Sequence, residues 1–429
     1  MHLFLVGAGH VGLVTAVGMV RLGHQVTVAD IDAARIERLG QGHAPIFEPG
    51  LEEGIAEAGD RLAFTIDLSP PADAAFSFVA VGTPFGPDGP LALDHVEKVV
   101  RDLLEVTGPE HTIVIRSTLP MSGPATLLEL RAGGHGRAAI VTNPEFMREG
   151  TALRDFEKPG RIVAGWLEER DRDAAERVLA LYEGIDAPTL VADARSVALI
   201  KLASNIFLAM KIGYANELAR LSDAFGATAS IVADGLGLDE RIGRSFLDAG
   251  PGFGGSCLPE QAVALAGIAD GAEVPAPLIQ AVAVANRTHQ RAIVARLASL
   301  LEPAGLAGRR IALFGLAFKA NTDDVRESPA LAIAAELRAG GADVVGTDPR
   351  AGAHARAVDP QLDVASSPAA AAAGADAVLV VTEWVEYASL DWNAIAAAMR
   401  GKVVYDTRNV VDGSAVVGAG LRLERLGRP

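Results

Sequence analysis

The chain contains very little cysteine: a single residue, Cys257, among 429. One cysteine excludes an intrachain disulfide, so the sequence indicates a reducing compartment, and we expect a cytoplasmic protein. Basic residues are outnumbered by acidic ones, and the formal net charge is -16. This balance argues against nonspecific binding to nucleic acid or to an anionic membrane, and we expect neither partner, although a local basic pocket remains compatible with it.

Charged residues are also absent from the apolar stretch at residues 3–20, which is 18 residues long. This length is marginal for a membrane span. Glycines at positions 7, 9, 12 and 18 interrupt the stretch, and no basic residue precedes it. A buried strand followed by a buried helix therefore explains it better than a membrane span or a signal sequence.

The length of the chain predicts two or three domains, because a single hydrophobic core stops growing well below this size. Short runs rich in valine, isoleucine and leucine alternate with segments of helix length, a pattern typical of βαβ units around a parallel sheet. Predicted strands are residues 3–6, 25–29, 75–81, 112–115, 138–141, 310–314, 343–347, 377–381 and 402–405. The pattern stops between the strands at 138–141 and 310–314. There, residues 194–224 are predicted to form one long helix, and further helices follow to about 301.

The fold class predicted from this order is α/β, with two Rossmann-like, doubly wound parallel-sheet domains joined by a long central helix and a helical middle domain. The predicted domains are residues 1–193, 194–301 and 302–429, with a linker at 302–310 that contains one proline and two glycines. A helix is predicted at 329–339, and the alanine-rich segment 369–373 favours a short helix rather than disorder.

A dinucleotide-binding motif follows the first predicted strand. Gly7, Gly9 and Gly12 form GxGxxG, in which the glycines permit a tight turn, close approach of the backbone to a pyrophosphate and close helix packing. Asp30 ends the second strand at nearly the spacing expected for a carboxylate that binds ribose hydroxyls, which favours NAD over NADP. The alternative is a strand-to-helix turn that binds no ligand. Arg35 either touches the adenosine end of the cofactor or is a solvated helix residue.

Two further polar positions follow predicted strands. Thr83 comes after the strand at 75–81, and Thr118 after the strand at 112–115. Ligands bind at the carboxyl ends of parallel strands, so both are candidates for the nicotinamide half of the cofactor.

Cys257 follows a glycine-dense loop, with four glycines among residues 250–255. Such a loop lets a substrate approach the backbone, and nearby amides or a helix start favour the thiolate, so we interpret Cys257 as a nucleophile. For an ordinary cysteine, burial as an inert apolar residue is the more common role.

Lys201 and Asn205 lie four residues apart on the predicted long helix and therefore share a face. They reach towards solvent, pair in the core, or converge on a developing oxyanion. We favour the third interpretation because thioester hydrolysis needs such donors. Glu145 follows a predicted strand end, where it is a candidate base that directs a water molecule. No metal site is predicted.

Taken together, the motifs resemble those of the UDP-glucose/GDP-mannose dehydrogenase family, most closely the branch that acts on UDP-glucose. The resemblance covers nearly the whole chain and rests on the following segments: 7–12, 46–51 (IFEPGL), 81–84 (VGTP), 143–151 (NPEFMREGT), 201–205, 250–257 and 315–329 (GLAFKANTDDVRESP).

The resemblance implies oxidation of the C6 primary alcohol of a nucleotide sugar to a carboxylate with NAD, by way of a thiohemiacetal and a thioester on Cys257. It implies that Lys201 and Asn205 stabilise oxyanions, that Glu145 and Thr118 handle proton transfer and water, and that the protein is a homodimer. It makes the first domain NAD-binding, the second catalytic and dimerising, and the third nucleotide-sugar-binding. The cofactor residues implied are Gly7, Gly9, Val11, Gly12, Asp30, Arg35, Thr83, Thr118 and Arg326. The substrate residues implied are Glu145, Phe146, Lys201, Asn205, Phe253, Gly254, Lys319, Arg408 and, from a dimer mate, Arg241.

The chain departs from the family pattern just after the cysteine. Members of this branch usually continue with Lys-Asp, where this sequence has Glu260 and Gln261. Glutamine cannot act as a base. Either Glu145 or Glu260 compensates, or hydrolysis is slow, or the substrate differs. The alternatives to complete oxidation are therefore a partial or transient oxidation of another nucleotide sugar or nucleoside, and a protein that binds nucleotide sugar and NAD without turnover.

Overall fold

The computed structural model describes residues 1–84, 91–133 and 136–428. Contacts between Cα atoms divide the chain into two compact units, Met1–Ser204 and Asn205–Pro429, and each unit is described separately.

The first unit is built on an eight-stranded sheet with the order β3-β2-β1-β4-β5-β6-β7-β8. Neighbouring strands are parallel except for β6 and β7, which are antiparallel. The strands are β1 (His2–Val6), β2 (Gln25–Ala29), β3 (Leu62–Thr65), β4 (Ala74–Val79), β5 (Thr112–Ile115), β6 (Ala139–Thr142), β7 (Ile162–Trp166) and β8 (Thr189–Asp193).

The helices that cover this sheet are α1 (His10–Arg21), α2 (Ala33–Gly40), α3 (Leu51–Ala58), α4 (Asp94–Val106), α5 (Gly123–Ala132), α6 (Ala152–Glu157), α7 (Arg172–Ala180) and the start of α8 (Ala194–Phe225). Short 3-10 turns occur at Gly59–Arg61 and Glu169–Asp171. The division between the two units falls within α8.

Strand β1 has apolar residues on both faces because both faces of the sheet are covered. Leu3 and Leu5 belong to one core cluster, whereas Phe4 and Val6 belong to another. This alternation follows from the two-residue period of a strand. The uncharged N-terminal stretch is therefore a buried strand and the buried helix α1, as predicted.

The second unit contains a six-stranded sheet, all parallel, with the order β11-β10-β9-β12-β13-β14. Its strands are β9 (Arg310–Phe314), β10 (Asp343–Thr347), β11 (Asp363–Val364), β12 (Ala377–Val380), β13 (Val403–Asp406) and β14 (Arg422–Arg425). Besides the rest of α8, its helices are α9 (Ala229–Gly237), α10 (Cys257–Gly271), α11 (Pro277–Leu300), α12 (Pro329–Ala339), α13 (Gly352–Val358), α14 (Pro368–Ala372), α15 (Trp392–Ala398) and α16 (Gly413–Gly418), with a 3-10 turn at Val385–Ser389.

The predicted fold class is confirmed: two Rossmann-like parallel sheets occur, with helices between them in the chain order. All nine predicted strands exist to within two residues at either end, and α8 and α12 match their predicted helices closely. The predictions missed β3, β7, β8, β11 and β14. The boundaries of the three domains stay a prediction.

Candidate active site

The glycine motif forms a tight turn between β1 and α1. Gly7 has φ +110°, a conformation that favours glycine, and a Cβ at Gly12 would lie 1.8 Å from the carbonyl oxygen of Gly7. A Cβ at Gly9 would meet nothing within 4 Å, and α1 begins without a side-chain cap. The turn is therefore closely packed on one side and open on the other, where a helix start can receive an anion.

Asp30 lies directly after β2 and is bound to this turn. Its Oδ2 accepts hydrogen bonds from the backbone N–H of Ala8 at 2.8 Å and from Nη1 of Arg35 at 3.0 Å, while Oδ1 accepts one from the N–H of Asp32. Burial alone raises the pKa of Asp30, but the two backbone bonds and Arg35 outweigh it and lower the pKa. Asp30 is thus a carboxylate, suited to ribose hydroxyls and repulsive to a ribose phosphate.

The turn and the other predicted cofactor residues of this unit follow adjacent strands. Gly7 follows β1, Thr83 follows β4 and Thr118 follows β5, and these three strands are neighbours and parallel. Their carboxyl ends therefore lie along one edge of the sheet. Val11 and Thr118 are partly buried there. The open space at Gly9 and the anionic Asp30 fit a dinucleotide with free ribose hydroxyls, so these residues would hold NAD.

Sequence reasoning assigned no role to His10, in the second half of the glycine motif. Its Nε2 lies 2.7 Å from Oε2 of Glu48, a buried carboxylate that also accepts the N–H groups of Gly150 and Ala152 at 2.7 and 2.8 Å. Burial lowers the pKa of His10, but the bond to Glu48 and the charges of nearby carboxylates outweigh it and raise the pKa. The only sequence signal for this contact was that Glu48 lies within IFEPGL, one of the segments that carry the family resemblance.

Glu145 and Lys201 form a buried ion pair within the first unit. Nζ of Lys201 donates to Oε1 of Glu145 at 2.8 Å and to its carbonyl oxygen at 2.6 Å, and the N–H of Met147 donates to Oε2 at 2.6 Å. Burial raises the pKa of Glu145, but the charge and hydrogen bond of Lys201, with Arg116 and Met147, outweigh it and lower the pKa. Both predicted residues are therefore held together, with Glu145 ionised.

A small cavity of about 30 Å³ lies beside Glu145 in the first unit. The guanidinium of Arg161 is 3.9 Å from the ring centroid of Phe146, and both residues line the cavity. Sequence reasoning did not single out Arg116. This arginine donates hydrogen bonds to the carbonyl oxygens of Asn143 and Pro144, directly before Glu145. This arrangement fixes the loop that carries Glu145 and Phe146.

In the second unit, Cys257 is the first residue of α10 and is exposed. Its Sγ lies 3.7 Å from Oγ of Ser256. The N-terminal amides of a helix of this length carry partial positive charge, which favours a thiolate at this position. The inert, buried role that is common for cysteine does not apply.

The loop before Cys257 depends on glycine for close packing. A Cβ at Gly254 would lie 2.4 Å from the carbonyl oxygen of Glu327, and a Cβ at Gly255 would lie 2.9 Å from the ring of Phe318. Gly255 also has φ +79° and donates its N–H to the carbonyl oxygen of Arg326 at 3.0 Å. Phe253 is buried in the same loop.

Asn205 and Gln261 form a hydrogen-bonded pair in this unit. Nδ2 of Asn205 donates to Oε1 of Gln261 at 3.0 Å, and Gln261 is buried one helical turn after Cys257. Lys201 and Asn205, expected to act together, thus each have a side-chain partner of their own. Glu260 is half-buried, and its pKa is raised, mainly by burial.

The remaining predicted basic residues of the second unit occupy different settings. Nζ of Lys319 is 5.3 Å from the ring centroid of Phe318, and Nε of Arg408 donates to the carbonyl oxygen of Val381 at 2.9 Å. A Cβ at Gly250 would lie 2.7 Å from Nη1 of Arg408, so this arginine adjoins the start of the cysteine loop. Arg241 and Arg326 are exposed and form ion pairs with Asp239 and Asp324 respectively.

Family models of the UDP-glucose/GDP-mannose dehydrogenase family match three consecutive parts of the chain. The NAD binding domain matches residues 1–186, the central domain 195–288 and the UDP binding domain 312–413. The chain belongs to this family. It is accordingly an NAD-dependent nucleotide-sugar dehydrogenase, as the resemblance implied, and NAD is its cofactor.

Similar proteins cover the chain from end to end. It is 39% identical over 441 residues to a UDP-glucose 6-dehydrogenase of Rhizobium meliloti, with all of both chains covered. It is 36% identical over 444 residues to a UDP-glucose 6-dehydrogenase of Pseudomonas aeruginosa, covering all of this chain and 98% of the relative. A solved UDP-glucose dehydrogenase from Pyrobaculum islandicum matches with a TM-score of 0.89 and 38% identity, covering 100% of this chain and 98% of that one.

Proposed function

We propose that the chain oxidises the C6 primary alcohol of UDP-glucose to the carboxylate of the uronic acid, with Cys257 as covalent nucleophile. Full-length identity to UDP-glucose 6-dehydrogenases supports this substrate. The observation that carries the covalent step is the position of Cys257, exposed at the first residue of α10 after a glycine loop. The alternative substrates, another nucleotide sugar or a nucleoside, lack comparable support.

The proposed reaction has four chemical stages. The alcohol loses a proton and a hydride to give an aldehyde, and the thiolate of Cys257 adds to its carbonyl carbon to give a thiohemiacetal. Loss of a second hydride leaves a thioester, and water attacks the thioester carbon, so that the carbon–sulfur bond breaks and the acid and thiolate are released. Bound NAD supplies the hydride acceptor for each oxidation.

The side chains contribute charge and hydrogen bonds to these stages. Lys201 and Asn205 stabilise negative oxygen, because an ammonium and an amide both donate hydrogen bonds to an oxyanion. Glu145, with Thr118, handles proton transfer and water. Glu145 also holds the ammonium of Lys201 in place through its hydrogen bond. Phe253, Gly254, Lys319 and Arg408 are proposed to bind the nucleotide sugar.

Partial oxidation is the second candidate, and it is favoured by one observation. Gln261 stands where the family pattern described above has aspartate, and its Oε1 accepts a hydrogen bond from Asn205. An amide cannot accept a proton from water, so hydrolysis of the thioester would be slow or would not take place.

A homodimer and a cytoplasmic location complete the proposal. Helix α8 passes a test for membrane spans by length and composition only, and 39% of its most apolar window is buried inside the protein. The apolar surface that stays exposed on this helix is the part that a partner could cover. Its exposed large residues Phe207, Tyr214 and Leu221 recur every seven residues and so form one stripe, which suits a helix from a second copy. Arg241 is proposed to reach the substrate of that second copy, and the lone cysteine agrees with a reducing compartment.

Product stoichiometry tests this function. The purified protein is incubated with NAD and a panel of nucleotide sugars, NADH is measured by absorbance, and the products are weighed by mass spectrometry. We expect UDP-glucose to be the preferred substrate, with two NADH formed per sugar and the uronic acid as product. Two hydrides transferred with the acyl group retained on Cys257 would show that the reaction stops before hydrolysis. One NADH per sugar with an aldehyde product would show that it stops after the first oxidation, and NAD binding without NADH would indicate a protein that only binds.

A further inference from the structure

The glycine loop before Cys257 is held by side chains of two helices at four backbone groups. The carbonyl oxygen of Gly250 accepts a hydrogen bond from Nε2 of His289 at 2.7 Å, and its N–H donates to Oδ1 of Asn216 at 2.9 Å. Three residues later, the N–H of Phe253 donates to Oδ1 of Asn286, and the carbonyl oxygen of Phe253 accepts from Nδ2 of Asn286, each at 2.9 Å.

The contact between Asn286 and Phe253 resembles the pairing of two strands. The side-chain amide of Asn286 bonds both the backbone N–H and the backbone carbonyl of Phe253, as the backbone of a neighbouring strand would. Asn286 is buried on α11. A Cβ at Gly252 would lie 2.5 Å from Oδ1 of Asn286, and Gly252 has φ +117°. Glycine at 252 therefore allows the amide to reach the loop backbone.

His289 lies one helical turn after Asn286 and is fixed in one tautomer. Nδ1 accepts a hydrogen bond from Nη1 of Arg220 at 2.6 Å, so Nε2 carries the proton that it donates to Gly250. Burial lowers the pKa of His289 to about 4, which keeps the ring neutral at physiological pH. Both residues thus present their donors to the loop without titrating.

We propose that Asn286, supported by His289, is a positioning residue for Cys257. The amide fixes the backbone of Phe253 four residues before the sulfur, and the loop leads without interruption into the first turn of α10. The side chain of Asn286 acts through the loop and needs no contact with the sulfur. This inference rests on the proposed nucleophilic role of Cys257.

The lone cysteine makes the test direct, because alkylation by iodoacetamide reports on Cys257 alone. Asn286→Ala and Asn286→Asp are compared with Thr288→Ala, an exposed neighbour on the same helix. Asn286→Asp keeps the acceptor for the N–H of Phe253 and loses the donor. Folding of each variant is checked by circular dichroism, and kcat, KM and the pH profile of alkylation are then measured.

We expect both Asn286 variants to lose about tenfold or more in kcat, with a smaller change in KM, because a small displacement of a reacting group is costly. The midpoint of the alkylation profile moves to higher pH as the sulfur leaves the helix start. Unchanged kcat and alkylation, equal to those of Thr288→Ala, would overturn the inference. A Cys257→Ala variant with full activity would instead overturn the proposed function, while leaving the alkylation result for Asn286 interpretable.

Discussion

The side-chain amide of Asn205 donates a hydrogen bond to Oε1 of Gln261 over 3.0 Å. Two neutral amides thus meet, and the second of them stands where the family pattern implied by the resemblance has aspartate. The capacity to accept a proton at residue 261 is lost, and the proposal therefore places the slow stage of the reaction at hydrolysis.

Gln261→Asp is expected to speed release of the acid. A carboxylate accepts a hydrogen bond from Asn205 as the amide does, and it can also take a proton from water, for which general-base catalysis contributes about 10²-fold or more. Gln261→Asn is the matched control, because it has the same shorter side chain without charge. Single-turnover quench experiments measure hydrolysis. Equal rates in the two variants would place the slow stage elsewhere.

Removing one partner of the buried ion pair should destabilise the first unit. Lys201→Met leaves the carboxylate of Glu145 buried without its cation, and breaking such a pair typically costs about 3–5 kcal/mol. Urea unfolding measures the loss. Adding Glu145→Gln to Lys201→Met should restore a large part of the stability, because the orphaned charge is gone. A double variant no more stable than the single one would contradict this explanation.

The same pair predicts a dependence of stability on pH. The pKa of Glu145 is lower in the folded protein than in the unfolded chain. Its contribution to the free energy of unfolding is therefore complete above the unfolded value of about 4.3 and decreases as pH falls towards the folded pKa. Between neutral and acidic pH, the free energy of unfolding measured with urea should fall less steeply with decreasing pH in Glu145→Gln than in the unaltered protein. Equal dependence on pH would count against this role of Glu145.

His10 should make NAD binding depend on pH. Burial lowers the pKa of His10, but Glu48, Glu149 and Glu145 outweigh it and raise the pKa, which extends the imidazolium beside the glycine turn to higher pH. This charge is present below the ordinary histidine pKa of about 6.5 and is lost as pH rises through the raised value, so the pyrophosphate loses a favourable partner.

The test compares NAD affinity at several pH values in the unaltered protein and in His10→Gln. Glutamine can still donate to Glu48 but does not titrate. We expect binding about three- to tenfold weaker in His10→Gln at pH 6.5, in line with the energy of a partly exposed charge, and no further change towards pH 9. A pH dependence that persists in His10→Gln would exclude His10 as its source.

The stripe on α8 should carry the association of two copies. Tyr214→Asp with Leu221→Asp places two charges in the stripe, and desolvating them at an interface is unfavourable. Light scattering after size exclusion should then report a monomer instead of a dimer. Val106→Asp, an exposed apolar residue of α4, is the control and should leave the mass unchanged. A dimer that survives the double variant would place the interface elsewhere.

Local patterns made much of the fold and part of the site predictable. Strand β1, the glycine turn and Asp30 follow one another within residues 2–30, so hydrophobic runs and turn glycines were sufficient. Strand β8 was missed because its apolar run is only three residues long, and β11 because it has only two residues. Such strands owe their conformation to a neighbouring strand more than to their own sequence.

The contacts that position the site were harder to predict because they join distant residues. His10 and Glu48 are 38 positions apart, and Phe253 and Asn286 are 33 apart. A buried asparagine or histidine on a helix has no local pattern that distinguishes it from a surface residue. Only the folded chain shows which backbone groups these side chains satisfy.

The most direct test of the covalent mechanism is the mass of the protein during turnover. The enzyme is mixed with UDP-glucose and NAD, quenched in acid and analysed as intact protein and as peptides. Because hydrolysis is expected to be slow with Gln261, we predict that the UDP-glucuronyl group accumulates on the peptide that contains Cys257. Complete conversion to the acid with no adduct at any time, and unchanged turnover in Cys257→Ala, would contradict the proposal.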